Sequence, residues 1–369
     1  MSVLKTKPAV FAVGDVYQIM VPVKAETLMW IKCGNNCYYD ESNGILRSHC
    51  STHRICVPMS ELDQAGGYEV CYREIIERKA YFTESEEVKT ERFKFYAVSS
   101  GKKQILAYQI ADAHNLVDEP VAAAKRFEKE YGKIDFLILN GDIPDHSGAI
   151  ENFDTIYKIA DKITGGEIPI VFARGNHDLR GVFAENLAEN TPNENGNSYF
   201  TVRLGNIWAL ILDCGEDKED NNSEYAHTVC CTLFRKKQTE YLKSLIQYPQ
   251  NQYKASGIDY RLVISHIPFT QSFVEPFNIE NEIYGEWTKI LNDEVKPHLM
   301  LSAHMHEFKI HNSDSQNNRY NHSFPVAVGS KVHLGDSPYF AGMGLQFKDG
   351  KVEIIFNDQN KIISTTRAE

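Results

Sequence analysis

Cysteine is sparse in this chain, with eight in 369 residues, too few for the disulfide frameworks that staple small secreted domains. We read them as reduced thiols. No stretch approaches the roughly 18 consecutive apolar residues that would span a bilayer. The opening MSVLKTKPAVFAVGDVYQIM has no basic start running into an unbroken apolar segment, so no export signal is predicted. These absences together predict a cytoplasmic protein that does not engage a membrane. Positive charge is also short. Lys plus Arg total 39 against 50 Asp plus Glu, a formal net charge of −11, which repels long polyanions. No Lys/Arg cluster marks a path for nucleic acid. With 23 Gly, 13 Pro, 42% hydrophobic and 24% charged residues, collagen-like and disordered classes are excluded, and the length suits two domains.

What is present falls into two patterns. Through residue 98 the hydrophobicity alternates at period two, as in Tyr68, Val70 and Tyr72 interleaved with Glu69, Cys71 and Arg73, the mark of half-buried strands. Turn residues at Gly34-Asn35-Asn36, Asn43-Gly44 and Ala65-Gly66-Gly67 separate them. Residues 1–98 are therefore predicted to form an accessory β-sandwich of fibronectin or immunoglobulin type. After Ser99-Ser100-Gly101 the pattern becomes α/β, and residues 102–369 are expected to be a second domain. Apolar strands at Ile105–Ile110, Ile134–Leu139 and Ile168–Ala173 alternate with helices, the first opened by Asp118-Glu119-Pro120 and closed by Gly132. The polar stretch between Cys214 and Cys231 lacks any period and reads as a loop bordering the site.

The informative residues stand where strands end. Asp112 and His114 follow one strand (ADAH), Asp142 the next (LNGD), and Asn176 with His177 a third (ARGNHD). His266 ends a later strand (VISH), and His304 with His306 another (SAHMH). Ligands in open α/β sheets bind at the carboxyl ends of strands, so these loops can converge. Each piece alone is weak. Taken in order they supply carboxylates, imidazoles and one amide, a donor set that suits divalent Mn, Fe or Zn rather than thiolate-bound zinc. Cys33, Cys37, Cys50 and Cys56, with His49 and His53, are too irregularly spaced to predict a structural zinc site.

This ordered series resembles the motifs of the calcineurin-like metallophosphoesterase superfamily, over roughly Ile105 to Phe356. The resemblance implies an α/β fold, specifically a four-layer αββα sandwich, here preceded by the small all-β domain. It implies two divalent metal ions: the first held by Asp112, His114, Asp142 and His306, the second by Asp142, Asn176, His266 and His304, with Asp142 shared. It makes His177 the catalytic group that stabilises the transition state or protonates the leaving oxygen, and places Asp145 where related protein phosphatases pair an aspartate with that histidine. The implied activity is metal-dependent hydrolysis of phosphomonoesters or phosphodiesters, by in-line attack of a hydroxide that two ions can generate near neutral pH.

Arg180 and Arg174 flank the GNHD turn and are candidates to hold the substrate phosphate, and His146 to line the pocket. Departures from better-known subfamilies narrow the reading. Asp145 is followed by His146-Ser147 rather than the Arg-Gly of Ser/Thr protein phosphatases. His114 and Asp145 stand where purple acid phosphatases carry glycine and tyrosine. Because two divalent cations would outweigh the charge of Asp112 and Asp142, an acidic chain can still present a cationic pocket. The expected partner is thus a small or compact phosphoester, and nucleic acid is disfavoured. A nuclease of the same superfamily and a non-catalytic metal-binding scaffold are the competing readings.

Overall fold

Strands that are apolar on both faces must be covered on both, and in the computed structural model, which describes residues 2–331 and 338–368, they lie at the centre of two stacked sheets. The larger has nine strands among the described residues. From one edge these are Ile362–Arg367, Lys351–Asp358, Ala341–Lys348, Gln104–Ile110, Phe136–Asn140, Ile170–Ala173, Ala9–Val13, Val16–Pro22 and Thr52–Pro58. The other runs Phe200–Leu204, Ile207–Ile211, Tyr260–Ile264, Leu299–Ser302, Val326–Val328 and Lys309–His311. Gln104–Ile110, Phe136–Asn140 and Ile170–Ala173 are mutually parallel, as are the four middle strands of the second sheet.

Ala107, Ile138 and Val171 from one sheet meet Ala209, Leu262 and Leu301 from the other in a continuous core. The outer face of the first sheet is covered by helices Asp118–Tyr131 and Asp154–Thr164 through Val121, Phe127, Ile156 and Ile159. Helices Cys231–Gln247 and Asn281–Ile290 cover the second through Leu242, Leu245, Tyr284 and Trp287. The order of layers is helix, sheet, sheet, helix. Each fully buried apolar side chain in them contributes about 1.5–3 kcal/mol. The segment from Ile150 begins as a 3₁₀ turn before its α-helix starts at Asp154. The helix that begins at Asn281 ends in a π turn, Leu291–Val295.

The N-terminal region is β-rich as predicted, but its strands do not stand apart. Ala9–Val13 pairs in parallel with Ile170–Ala173, and Val16–Pro22 and Thr52–Pro58 extend the same sheet outward. The facing sheet of Lys89–Lys94, Gly67–Glu77, Thr27–Cys33 and Asn36–Tyr39 closes over them. Ile19, Ile31, Ile55 and Val70 between these sheets belong to the same core as Ile138 and Leu262. The boundary expected at residues 98–102 is therefore not a gap between separate sheets. The physical reason is in Ala9–Val13, where Phe11 packs edge-on against Tyr157 and Phe172 on the helical side while Val10 and Ala12 face the intersheet core. A strand apolar on both sides cannot serve as the half-exposed strand of an isolated sandwich.

Cys50 and His53 come together here with Asp40. His53 Nδ1 lies 2.7 Å from Asp40 Oδ2, and Cys50 Sγ lies 3.7 Å from the ring nitrogens. Burial opposes the imidazolium, but the bonds to Asp40 and Cys50 outweigh it and raise the His53 pKa from 6.5 to about 9. Stabilisation from this pair is complete below pH 6.5 and is lost as pH rises through about 9. We therefore expect the melting temperature of the wild-type chain to fall between neutral pH and pH ~10 more steeply than that of His53→Gln. Parallel slopes in a differential scanning experiment would contradict the assignment.

Candidate metal centre

Five strands deliver the candidate ligands, each from the loop at its carboxyl end. Asp112 and His114 follow Gln104–Ile110, and Asp142 follows Phe136–Asn140. Asn176 follows Ile170–Ala173, His266 follows Tyr260–Ile264, and His304 and His306 follow Leu299–Ser302. Beneath them the two sheets are tied by polar groups. The Gln109 amide donates to the carbonyls of Ser302 and Gly329, and that of Asn140 donates to Gln109 Oε1 and Leu301 O. Asp112, His114, Asp142, His304 and His306 all hold positive φ, between 42° and 68°. A non-glycine residue there is strained by about 1–3 kcal/mol, and such strain clusters where function fixes the backbone.

Close approach of two loops depends on glycine. A Cβ on Gly175 would stand 2.1 Å from Asp142 Oδ1, and one on Gly141 2.6 Å from both Gly175 Cα and His266 Nδ1. Their absence lets the GNHD turn lie against Asp142, whose Oδ1 accepts the backbone N–H of His177 at 2.9 Å. Asp178 pins the turn by accepting the Gly175 N–H at 2.7 Å.

The donor atoms then converge in three overlapping groups, Asp112 with His114 and His306, Asp142 with His266 and His304, and His114 with Asp142 and His177. His306 Nε2 is 3.4 Å from Asp112 Oδ1 and 3.4 Å from His114 Nε2. His266 Nε2 is 3.1 Å from Asp142 Oδ2 and 3.7 Å from Asp112 Oδ1. His304 Nδ1 faces Asn176 Oδ1 at 3.0 Å.

Whether these residues suit cations can be judged from atoms left without partners. Asp112 Oδ2 accepts the His304 N–H, but Oδ1 is buried with no hydrogen bond, as are His266 Nε2 and His114 Nδ1. His266 directs Nδ1 at the Asn140 carbonyl, 2.7 Å away. This arrangement leaves Nε2 as a lone pair aimed at carboxylate lone pairs, unfavourable unless a proton or cation lies between. Without a metal the site answers with protons. Burial disfavours the His266 imidazolium, yet Asp142 and Asp112 raise its pKa to about 10. Burial and the charge of His266 lower His304 to about 4. The donor set is oxygen and nitrogen throughout, and it fits divalent ions of the Mn, Fe or Zn type.

The remaining predicted residues are placed less uniformly. His177 is half-buried with Nδ1 2.9 Å from a carbonyl oxygen, that of Asp145, and the Asp145 carboxylate instead points at His114 Nδ1, 3.3 Å away. Asp145 and His177 are thus neighbours through the backbone, and the carboxylate-to-imidazole bond expected between them is not formed. Asp145, His146, His177 and Arg180 line one groove. Arg180 is held bidentately by buried Glu216 at 3.0 Å on both oxygens. Arg174 Nε is 2.6 Å from buried Asp213, with its guanidinium over Phe234. Both guanidinium charges are thus offset by buried carboxylates. The partners of Arg180 come from the aperiodic loop after Cys214, which also brings Asp217 to 3.8 Å from His304 Nε2 and Lys218 to 3.1 Å from Asp217. Glu216 and Asp217 carry no motif, and their only sequence signal was acidity beside a strand end.

Because its carboxylate faces a candidate ligand rather than His177, Asp145→Asn should weaken metal retention by about 10-fold. The pH profile of metal-saturated protein should stay unchanged. A shifted profile at full metal loading would restore the dyad.

The family model for calcineurin-like phosphoesterases matches residues 106–308, more than half of the chain and a span that contains all seven candidate ligands. The chain belongs to that family. Among solved structures it resembles purple acid phosphatase PPD1 from yellow lupin (Lupinus luteus) seeds, at 11% identity and TM-score 0.61, covering 98% of this chain and 73% of that one. It also matches a dimetal phosphatase from Danio rerio at 10% identity and TM-score 0.47, covering 72% and 99%. GAP50, the anchor in the inner membrane complex of Plasmodium, matches at 12% identity and TM-score 0.46, covering 73% and 89%. At 11% identity the lupin enzyme speaks for the fold alone. A search of curated proteins gave no match.

Among the described residues no helix is long and apolar enough to cross a membrane.

Proposed function

We propose that this chain is a phosphoesterase with two divalent ions, acting on small or compact phosphomonoesters or phosphodiesters. The observation that carries the reading is the convergence of the buried, unpartnered ligand atoms of Asp112 and His266, at the ends of two strands, with the donors of Asp142, His304 and His306. Asp112, His114, Asp142 and His306 would hold one ion and Asp142, Asn176, His266 and His304 the other. Bound there, divalent ions would polarise phosphoryl oxygens and lower the pKa of water. The chain's own contribution is position and proton control. The His177 N–H is spent on Asp142, which fixes the carboxylate, and ring Nδ1–H donates to the Asp145 carbonyl. That leaves Nε2, at the rim of the open groove, to hold or release a proton at the leaving oxygen. The Arg180 guanidinium, itself held by Glu216, lies 3.4 Å from Nε2 and can only donate to it, so a proton on Nε2 replaces that contact. An acidic surface around a cationic centre favours compact esters over long polyanions.

Metal analysis combined with hydrolysis of p-nitrophenyl phosphate and its bis ester tests this reading. Activity that is abolished by chelation and restored by Mn, Fe or Zn is expected. A folded chain that binds metal yet hydrolyses neither ester would leave the scaffold reading, and cleavage of DNA in preference to both would leave the nuclease.

A further inference from the structure

We propose that Asp217 is the positioning residue of His304, keeping the ring proton on Nε2 so that the Nδ1 lone pair is left for the second ion. The inference rests on the two-ion reading and adds to the centre a residue that no motif marks. His304 presents one nitrogen to each side. Nδ1 faces Asn176 Oδ1 at 3.0 Å, among the candidate ligands, and Nε2 faces Asp217 Oδ2 at 3.8 Å. A neutral imidazole has one proton to place. On Nδ1 it would bond to the Asn176 oxygen and remove the lone pair that a cation needs. On Nε2 it lies beside the carboxylate charge and Nδ1 stays open. The Asp217 anion favours the second placement, because a negative charge at this distance attracts an N–H dipole and repels a lone pair.

The Asp217 side chain is fixed for this task. It is 9% exposed. Oδ1 accepts the Tyr225 hydroxyl at 2.7 Å and the Lys218 ammonium at 3.1 Å, and lies 3.6 Å from Arg180 Nη2. These donors gather on one oxygen, and the other is turned to the ring. The backbone beneath is equally constrained. Fully buried Arg235 donates to the carbonyls of Cys214 and Glu216 and to Glu280, and the Gly215 N–H donates to Asp213 Oδ1 at 2.8 Å. Glu216, the preceding residue, holds Arg180, which lies against His177. Consecutive residues of one loop therefore serve a ligand of the second ion and the ring that handles the proton.

Zinc affinity measured by competition with a chromophoric chelator tests the assignment, the wild type being expected to retain two ions. Asp217→Ala should weaken one of them about 10–100-fold while the other keeps its affinity. Asp217→Asn preserves the shape and the acceptor for Tyr225 and Lys218 but removes the charge, so it should fall nearly as far. A side chain needed only to hold the loop would be rescued by asparagine. Heteronuclear NMR of the metal-free chain with isotope-labelled histidine should place the His304 proton on Nε2 in the wild type and move it toward Nδ1 in Asp217→Asn. A wild-type ring protonated on Nδ1, an unchanged tautomer in the asparagine variant, an asparagine variant with wild-type zinc affinity, or equal weakening of both ions would overturn the assignment and leave the two-ion reading standing. A wild-type chain that fails to retain two ions would overturn that reading and this assignment with it.

Discussion

Asp142→Asn should reduce phosphoester hydrolysis by at least about 10³-fold and lower the metal content of the purified chain, leaving its secondary structure intact. Asp142 is 1% exposed, and burial works against its charge. The nearby rings of His266, His177 and His304 more than offset that cost and hold its carboxyl well below the usual carboxylate range. The carboxylate is therefore an anion throughout the physiological range, with one oxygen fixed by the His177 N–H and the other 3.1 Å from His266 Nε2. An asparagine has the same shape but no charge. Its amide would also set a donor against one of these positions, so both proposed ion positions are weakened together. Metal analysis by mass spectrometry alongside steady-state kinetics checks this. A variant that retains metal and more than about a tenth of wild-type activity would show that Asp142 is not shared between two sites.

His177→Ala should lower kcat by about 10²–10⁴-fold while KM and metal content stay near their wild-type values. This residue differs from its neighbours in lining the open groove with Asp145, His146 and Arg180. Its Nδ1 is tied to the Asp145 carbonyl, and its ring stands edge-on to His114 with centroids 4.7 Å apart. The ring is thus placed at the edge of the centre, close to Asp142 and His114, so the metal content of each variant is read beside its rate. If its role were only to hold the loop, His177→Gln, which keeps a polar group of similar reach, would recover most of the rate. If the imidazole transfers a proton, Gln and Ala should be equally poor, and the acidic and basic limbs of the kcat profile should change with them. Metal loss in either variant would move His177 into the ligand set.

Much of this centre was legible in the chain. Asp112, His114, Asp142, Asn176, His266, His304 and His306 each follow a recognisable apolar strand, and a strand end is a fixed point in an α/β sheet. Local spacing such as D-x-H and H-x-H therefore carries positional information over nearly two hundred residues. The N-terminal sandwich was harder. Alternation over Tyr68–Arg73 marks a strand, which the structure places within Gly67–Glu77, but periodicity within a strand says nothing about which sheet receives it. Ala9–Val13 gave the one available hint, being apolar on both faces, and it is the strand that joins the larger sheet.

Electrostatic partners were beyond reach for a different reason. Arg174 and Arg180 were read as phosphate ligands because they flank the GNHD turn, whereas Asp213 and Glu216, which neutralise them, arrive from a strand end and loop more than thirty residues away. Asp145 stands at the expected distance from Asp142 along the chain, yet the turn presents its carbonyl to His177 and its carboxylate to His114. The α/β core and the family were both legible, because burial follows from local hydrophobic pattern and the ordered motifs stand at strand ends. Which charges are already paired, and which atom of a residue faces the centre, came only with the tertiary structure. Coulombic and hydrogen-bonded pairing depends on distances between loops that share no sequence neighbourhood.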